Sequence, residues 1–115
     1  MNKPYLEHLH MLKDSLRKEP NNANLWNVKG ILSICILAEP SDDKLSFSDT
    51  GGYHDAINCY NEATRLDPDY FQAWTNKGLA YLEGELPYEK HNSKYKKAIS
   101  CFDTAIKCFE NAKRE

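Results

Sequence analysis

The sequence has no excess of charge of either sign and no long apolar run. Its formal net charge is −2 at pH 7, so it presents no overall basic surface for a nucleic-acid backbone or an anionic membrane. The most apolar run extends from Ile31 to Ala38 and is far shorter than the roughly 20 residues that span a bilayer. The first residues also show no apolar segment of the kind found in secretory signals. We therefore expect a cytoplasmic protein with neither a nucleic-acid nor a membrane partner.

Motifs for the commonest enzyme chemistries are also missing. The Gly51-Gly52 pair is not followed by the Lys-Ser/Thr tail of a phosphate-binding loop, and no nucleophile elbow occurs. No two of the four cysteines form a CxxC pair, which favours reduced, buried thiols over a disulfide framework or a metal site. These cysteines are Cys35, Cys59, Cys101 and Cys108. We expect no enzymatic activity, no cofactor and no bound metal.

One segment leaves room for a remote alternative. His54 and Asp55 open a predicted helix, and Asp49 precedes them closely, so a loop-borne metal or acid/base site can be imagined there. A helix cap and a charge at the helix N-terminus explain the same residues more simply. A small metal-dependent or hydrolytic site within residues 39–55 is therefore kept only as the remote alternative.

One helical pattern occurs twice. It reads alanine, isoleucine, any residue, cysteine, an aromatic residue, two further residues and alanine; it begins at Ala56 and returns 42 residues later. In the first copy, Ala56, Tyr60 and Ala63 lie at i, i+4 and i+7, which is one stripe of a helix. The matching positions of the second copy are Ala98, Phe102 and Ala105. Small residues on either side of one large ring allow a neighbouring helix to approach closely.

A second pattern, tryptophan, two residues, lysine and glycine, also occurs twice, 48 residues apart. The two copies contain Trp26 with Gly30 and Trp74 with Gly78. Each tryptophan follows a proline, Pro20 or Pro68, by six residues. Glycine inside a helix costs about 1 kcal/mol relative to alanine, so we expect each glycine to lie where two helices cross closely. Asp67-Pro68 should end the helix that precedes it.

These residues together resemble the tetratricopeptide-repeat (TPR) family, whose unit is a pair of antiparallel helices. The first unit is carried by Trp26, Gly30, Ala56, Tyr60, Ala63 and Pro68. The second is carried by Trp74, Gly78, Tyr81, Ala98, Phe102 and Ala105. The resemblance implies an all-α fold, a short right-handed superhelix of antiparallel helix pairs with about five helices.

The resemblance divides the 115 residues, which we treat as one domain, into a half-unit and two full units. The half-unit is residues 1–20, the first unit 21–68 and the second 69–115. A plain unit has about 34 residues, so the longer offsets imply inserted loops, which we place at 39–52 and 84–93. Loops of stacked units leave from the same edge, so the two insertions should be neighbours. The predicted helices are Pro4–Arg17, Ala23–Ala38, Tyr53–Leu66, Tyr70–Glu83 and Lys94–Ala112.

The resemblance also implies a function, because TPR proteins bind other proteins in a concave groove lined by the first helix of each unit. The matching positions in this chain are Asn24, Asn27, Val28, Ile31, Gln72, Thr75, Asn76 and Leu79. Amide side chains suit a peptide main chain, and Ile31 and Leu79 suit an apolar side chain of the partner. An ordinary solvated helix face is the alternative interpretation of the same residues.

The last predicted helix carries a further apolar stripe at helical spacing. Its members are Ile99, Phe102, Ile106 and Phe109. A following unit would cover such a stripe, so a homodimer or a larger self-assembly through this helix is one interpretation. The other is that Ile106 and Phe109 fold back onto the preceding helix.

Overall fold

The structure is a computed structural model that describes residues 4–38, 51–84 and 90–113. All the regular secondary structure in these ranges is α-helical: α1 (Pro4–Lys18), α2 (Ala23–Ala38), α3 (Gly51–Leu66), α4 (Phe71–Glu83) and α5 (His91–Lys113). The predicted all-α fold class is confirmed. Most of the two predicted insertions, residues 39–50 and 85–89, lies outside the described residues. Within the described ranges, none of the helices is long and apolar enough to cross a membrane.

Two helices begin earlier than predicted. α3 starts at Gly51 rather than Tyr53, and α5 starts at His91 rather than Lys94. The expectation of loop at Gly51-Gly52 and at residues 91–93 was therefore wrong. Glycine and small polar residues are unfavourable inside a helix, but they are tolerated in its first turn, where the amide groups have no intrahelical acceptor in any case.

α3 and α4 run antiparallel and enclose the centre of the core. Gly84, at the end of α4, lies against the ring of Tyr53 near the start of α3. Further along the pair, Ala80 of α4 shares a buried cluster with Ile57 and Tyr60 of α3. The start of α3, which follows the first predicted insertion, therefore lies beside the end of α4, which precedes the second.

α4 and α5 are likewise antiparallel. Gly78 lies against Phe102, and the ring of Phe71 meets that of Phe109 edge-on, with centroids 5.2 Å apart. Each helix of the described chain thus packs mainly against its neighbours in sequence. An array of this kind derives its stability from contacts between successive elements.

The two repeated glycines lie at matched helix crossings. A Cβ atom at Gly30 of α2 would be 2.5 Å from Cε1 of Tyr60 in α3, and a Cβ atom at Gly78 of α4 would be 2.6 Å from Cε1 of Phe102 in α5. Both distances are far below van der Waals contact. The rings occupy the space that a side chain would need, so each glycine lets a helix pair pack at short distance.

The two repeated tryptophans make the same hydrogen bond. Nε1 of Trp26 donates to the carbonyl oxygen of Pro20 at 2.9 Å, and Nε1 of Trp74 donates to that of Pro68 at 2.9 Å. The lysine three residues after each tryptophan places its Nζ 5.1 Å from the centre of the indole ring, a cation–π distance. Each indole thus ties its helix to the turn that precedes it.

Cys59 and Cys101 occupy equivalent, buried positions on α3 and α5, and all four cysteines are free thiols. Burial raises the pKa of the Cys59 thiol to about 11, although the positive charge of Lys29 partly opposes the shift. Burial also raises the pKa of Cys101, against the charge of Lys77. Because a thiol reacts as its thiolate, both are poor nucleophiles at neutral pH.

Candidate functional site

The predicted groove residues lie on α2 and α4, which run in the same direction because α3 lies antiparallel between them in the chain. A direct side-chain contact joins the two helices: Nδ2 of Asn76 on α4 donates to Oδ1 of Asn27 on α2 at 3.0 Å. One helical turn further along each helix lie Ile31 and Leu79. The structure therefore brings residues of the two predicted groove segments together.

Tyr70, at the N-cap position of α4, extends this contact into a network. Its hydroxyl donates to Oδ1 of Asn24 at 2.7 Å and accepts a hydrogen bond from Nδ2 of Asn27 at 3.3 Å. Asn27 is buried, and both atoms of its amide group are engaged within the chain. Its side chain thus holds α2 and α4 at a fixed separation rather than standing open to solvent.

The sequence reasoning gave Tyr70 no role, although a signal was present. Forty-eight residues earlier, at the equivalent position, stands Asn22, whose Oδ1 caps α2 by accepting a hydrogen bond from the backbone N–H of Leu25. Tyr70 makes no such capping bond. Because tyrosine stands where the other repeat has a capping residue, its side chain is expected to have a different role. Here its hydroxyl forms hydrogen bonds with α2.

The remaining groove residues differ in exposure. Asn24 and Gln72 are exposed, whereas Val28, Thr75 and Asn76 are half-buried. Two large apolar side chains, Ile31 and Leu79, are each 39% exposed. None of these residues carries a charge. The face therefore combines amide groups with apolar side chains and has no fixed charge of its own.

Leu82 is a further apolar residue of α4 that was not among the predicted groove residues. It is exposed and follows Leu79 by three residues, which is the spacing of one helix face. That spacing could have identified it. Leu79 and Leu82 thus extend the apolar part of α4 toward the end of the helix.

The hydrogen-bonded network gives a first testable prediction. Replacing Asn27 by alanine removes a donor from the Tyr70 hydroxyl and an acceptor from Asn76, so we expect the free energy of unfolding to fall by about 1–3 kcal/mol. Urea denaturation followed by circular dichroism measures this change. The matched control is Gln72→Ala, which removes an exposed amide from the same face and should change stability by less than about 0.5 kcal/mol. Equal stability of the Asn27 variant and the wild type would contradict the structural role of Asn27.

The residues of the remote alternative are only partly described. His54 and Asp55 are exposed in the first turns of α3, and Asp49 lies outside the described residues. In the part of the chain that the structure describes, no group of three or more His, Cys, Asp or Glu side chains is placed to hold a metal ion.

Part of the chain is similar to a known protein family. A family model described as TPR repeat matches residues 46–83. The match begins within the first predicted insertion, includes all of α3 and α4, and ends one residue before Gly84. A search of curated proteins found no match to this chain. Residues 46–83 thus match a TPR repeat, and the duplicated Trp–Pro hydrogen bond and the duplicated glycine–ring crossing extend the same repeated pattern to α2 and α5.

Proposed function

We propose that this chain is a non-catalytic protein-interaction module that binds an extended peptide or a helix of a partner protein along the face formed by α2 and α4. TPR repeats generally mediate protein–protein interactions. What supports the proposed location is one observation: Ile31 and Leu79 expose apolar surface directly beside the amide network that joins the two helices.

The chemistry of this face fits a peptide. Asn24 and Gln72 present exposed amide groups, which can donate to and accept from a peptide main chain. Ile31 and Leu79 offer an apolar contact for one partner side chain. Because the groove residues are uncharged, recognition of a strongly acidic or basic tail would have to use other residues. The proposed partner is thus a segment with hydrophobic side chains, not a nucleic acid or a membrane.

The network beneath the face gives it a defined width. Asn27 and Asn76 are hydrogen-bonded to each other, and the Tyr70 hydroxyl forms hydrogen bonds with both Asn27 and Asn24. A face whose supporting side chains are already ordered loses less conformational entropy on binding. We therefore assign Asn27 to positioning and assign direct contact to the exposed residues on the same face.

The proposed setting is the cytoplasm. All four cysteines are free, and cytosolic thiols remain reduced. Fractionation of cells that produce the protein at its native level would test this setting directly, with recovery in an oxidising compartment as the contrary outcome.

Leu79→Asp tests the groove. We expect this substitution to weaken peptide binding by at least about tenfold, a change of about 1.4 kcal/mol, because a carboxylate in the contact would lose its hydration. The probe is a displayed library of random peptides, from which the wild type selects ligands whose affinities are then measured by calorimetry. The side chain is partly exposed, so the helical signal in circular dichroism should stay unchanged.

The matched control is Met11→Asp, which places the same carboxylate at an exposed apolar residue on α1, a helix that contributes no residue to the proposed groove. It should bind the selected peptides as the wild type does. Peptides that bind the Leu79 variant and the wild type equally would move the site away from this face. Failure of the wild type to select any peptide would leave the face as ordinary solvated surface and overturn the proposal.

A further inference from the structure

α3 and α5 carry the same residue pattern but differ in what covers it. Ile57 on α3 is 5% exposed, whereas Ile99, its equivalent 42 residues later on α5, is 59% exposed. Thr64 on α3 is 7% exposed, and its equivalent, Ile106, is 55% exposed. α4 covers the first set, since Ala80 packs in the cluster that contains Ile57. No helix of the described chain covers the second set.

Ile99 and Ile106 belong to a longer apolar stripe along α5. We call it the α5 stripe, and its exposed members are Tyr95, Ile99, Ile106 and Phe109. Phe102 lies between them and turns inward against Gly78. Successive members, with Phe102 included, are spaced by four, three, four and three residues, which is the alternation of a helix that pairs with another helix.

A cavity adjoins the C-terminal half of the stripe. Its volume is about 380 Å³, and it lies between Phe71 and Thr75 of α4 and Ile106 and Phe109 of α5. Phe109 thus folds back toward α4, as one of the two interpretations of the sequence expected, while Ile106 remains mostly exposed. The cavity can receive a large side chain of a helix laid along α5.

We propose that the α5 stripe is the interface of a twofold-symmetric homodimer, in which α5 of a second copy lies antiparallel along it. The order of side chains favours this occupant. Aromatic rings stand at residues 95, 102 and 109, and isoleucines stand between them at 99 and 106, so the stripe reads nearly the same in both directions about Phe102. A surface of this kind complements itself across a twofold axis.

The charges beside the stripe also favour the antiparallel arrangement. Lys96, Asp103 and Glu110 are exposed and are spaced by seven residues along one side of the stripe. An antiparallel pairing centred near Phe102 brings Lys96 close to Glu110 of the second copy, and symmetry makes this contact twice. A parallel twofold pairing would instead place the charges of the two copies on opposite sides of the interface, so Lys96 and Glu110 would not meet. Asp103 meets its equivalent close to the axis, where Lys107 follows it by four residues and offsets the repulsion.

This dimer does not depend on the proposed peptide-binding function. The stripe lies on α5, and the groove lies on α2 and α4, with Thr75 at the border of the cavity. Molecular mass is measured in the absence of any peptide. A failed dimer and a failed groove are therefore distinguished by separate experiments.

Sedimentation equilibrium in reducing buffer tests the proposal. The wild type is expected to have twice the chain mass of 13.3 kDa at high concentration. Ile106→Glu, at an exposed position, should weaken dimerisation by at least about a hundredfold, because the symmetric dimer would hold two desolvated carboxylates. Met11→Glu is the matched control, since it changes an exposed apolar residue of α1, and it should dimerise as the wild type does. Circular dichroism checks that each variant remains helical.

A charge exchange tests the register. Lys96→Glu and Glu110→Lys should each weaken the dimer by about fivefold, because each breaks two symmetric, solvent-exposed contacts. The double variant, Lys96→Glu with Glu110→Lys, should regain most of the lost affinity. Recovery in the double variant supports the antiparallel pairing, and a further loss overturns it.

Three results would overturn the dimer itself. The wild type could remain at 13.3 kDa at the highest concentration reached. Ile106→Glu could leave the dimer intact, which would place the interface elsewhere. Finally, a monomeric wild type could bind a helix of another protein over Ile106, which would replace the second copy by a different occupant.

Discussion

Replacement of Tyr60 by alanine is expected to lower the free energy of unfolding by about 3–5 kcal/mol, the range found when large buried rings are removed. Tyr60 is 1% exposed, belongs to the central cluster with Ala56, Ile57 and Ala80, and fills the space beside Gly30. A small domain has a total stability of only about 5–15 kcal/mol. Chemical denaturation followed by circular dichroism should therefore show a large shift of the midpoint to lower denaturant concentration.

Phe102→Ala is the matched control for this prediction. Phe102 holds the equivalent place on α5 and lies against Gly78, but it is only half-buried, because no helix of the described chain follows α5. We expect its loss to cost clearly less than the loss of Tyr60. Equal costs for the two substitutions would contradict the conclusion that the centre of the core lies between α3 and α4.

Gly30→Ala is expected to destabilise the protein, although alanine is the better helix former. A Cβ atom at this position would lie 2.5 Å from Cε1 of the buried Tyr60 ring. Overpacking of a core costs about 1–3 kcal/mol, whereas the gain in helix propensity from glycine to alanine is about 1 kcal/mol. The difference between the middle of the first range and the second value is a net loss of about 1 kcal/mol in the free energy of unfolding, measured by the same denaturation experiment.

A double-mutant cycle identifies the cause of that loss. In a Tyr60→Leu background the ring is absent, so Gly30→Ala should no longer destabilise and should instead show the propensity gain. Gly78→Ala offers a second comparison, because the half-buried ring of Phe102 can move aside more easily than Tyr60. An unchanged cost of Gly30→Ala in the Tyr60→Leu background would locate the strain elsewhere.

The helices could be predicted from the sequence because two helical patterns each occur twice in the chain. The alanine–ring–alanine pattern at Ala56 and Ala98, and the tryptophan–glycine pattern at Trp26 and Trp74, each mark one helix twice. The first residues of α3 and α5 were less predictable. Gly51-Gly52 is composed of residues that favour loops, but the first turn of a helix tolerates them, because its amide groups have no intrahelical acceptor in any case.

The roles of the groove side chains could not be predicted in the same way. Asn27 lies 43 residues before Tyr70 and 49 residues before Asn76, and only the fold brings its amide group within hydrogen-bonding distance of both. The sequence places Asn27 on the correct helix, but it cannot show whether its amide meets a neighbouring helix or a partner. Exposed residues such as Leu79 remain candidates for direct contact.

The sequence also left two interpretations of the last helix open, self-assembly or folding back onto α4, and the structure shows folding back for Phe109 only. Phe109 folds back onto Phe71, whereas Ile106 remains exposed. Hydrophobic periodicity identifies a stripe but does not show how wide a face the neighbouring helix will cover. That width depends on where α4 ends relative to α5, which is a property of the assembled pair.

The matched surroundings of the two tryptophans give the protein an internal pair of optical reporters. Each indole donates to a proline carbonyl at 2.9 Å and lies beneath a lysine ammonium group, so the two should fluoresce at nearly the same wavelength in the native state. One lies near the first turn of the array and the other near its middle. Emission from variants that retain a single indole would therefore show whether the array frays from its N-terminal end before its centre melts.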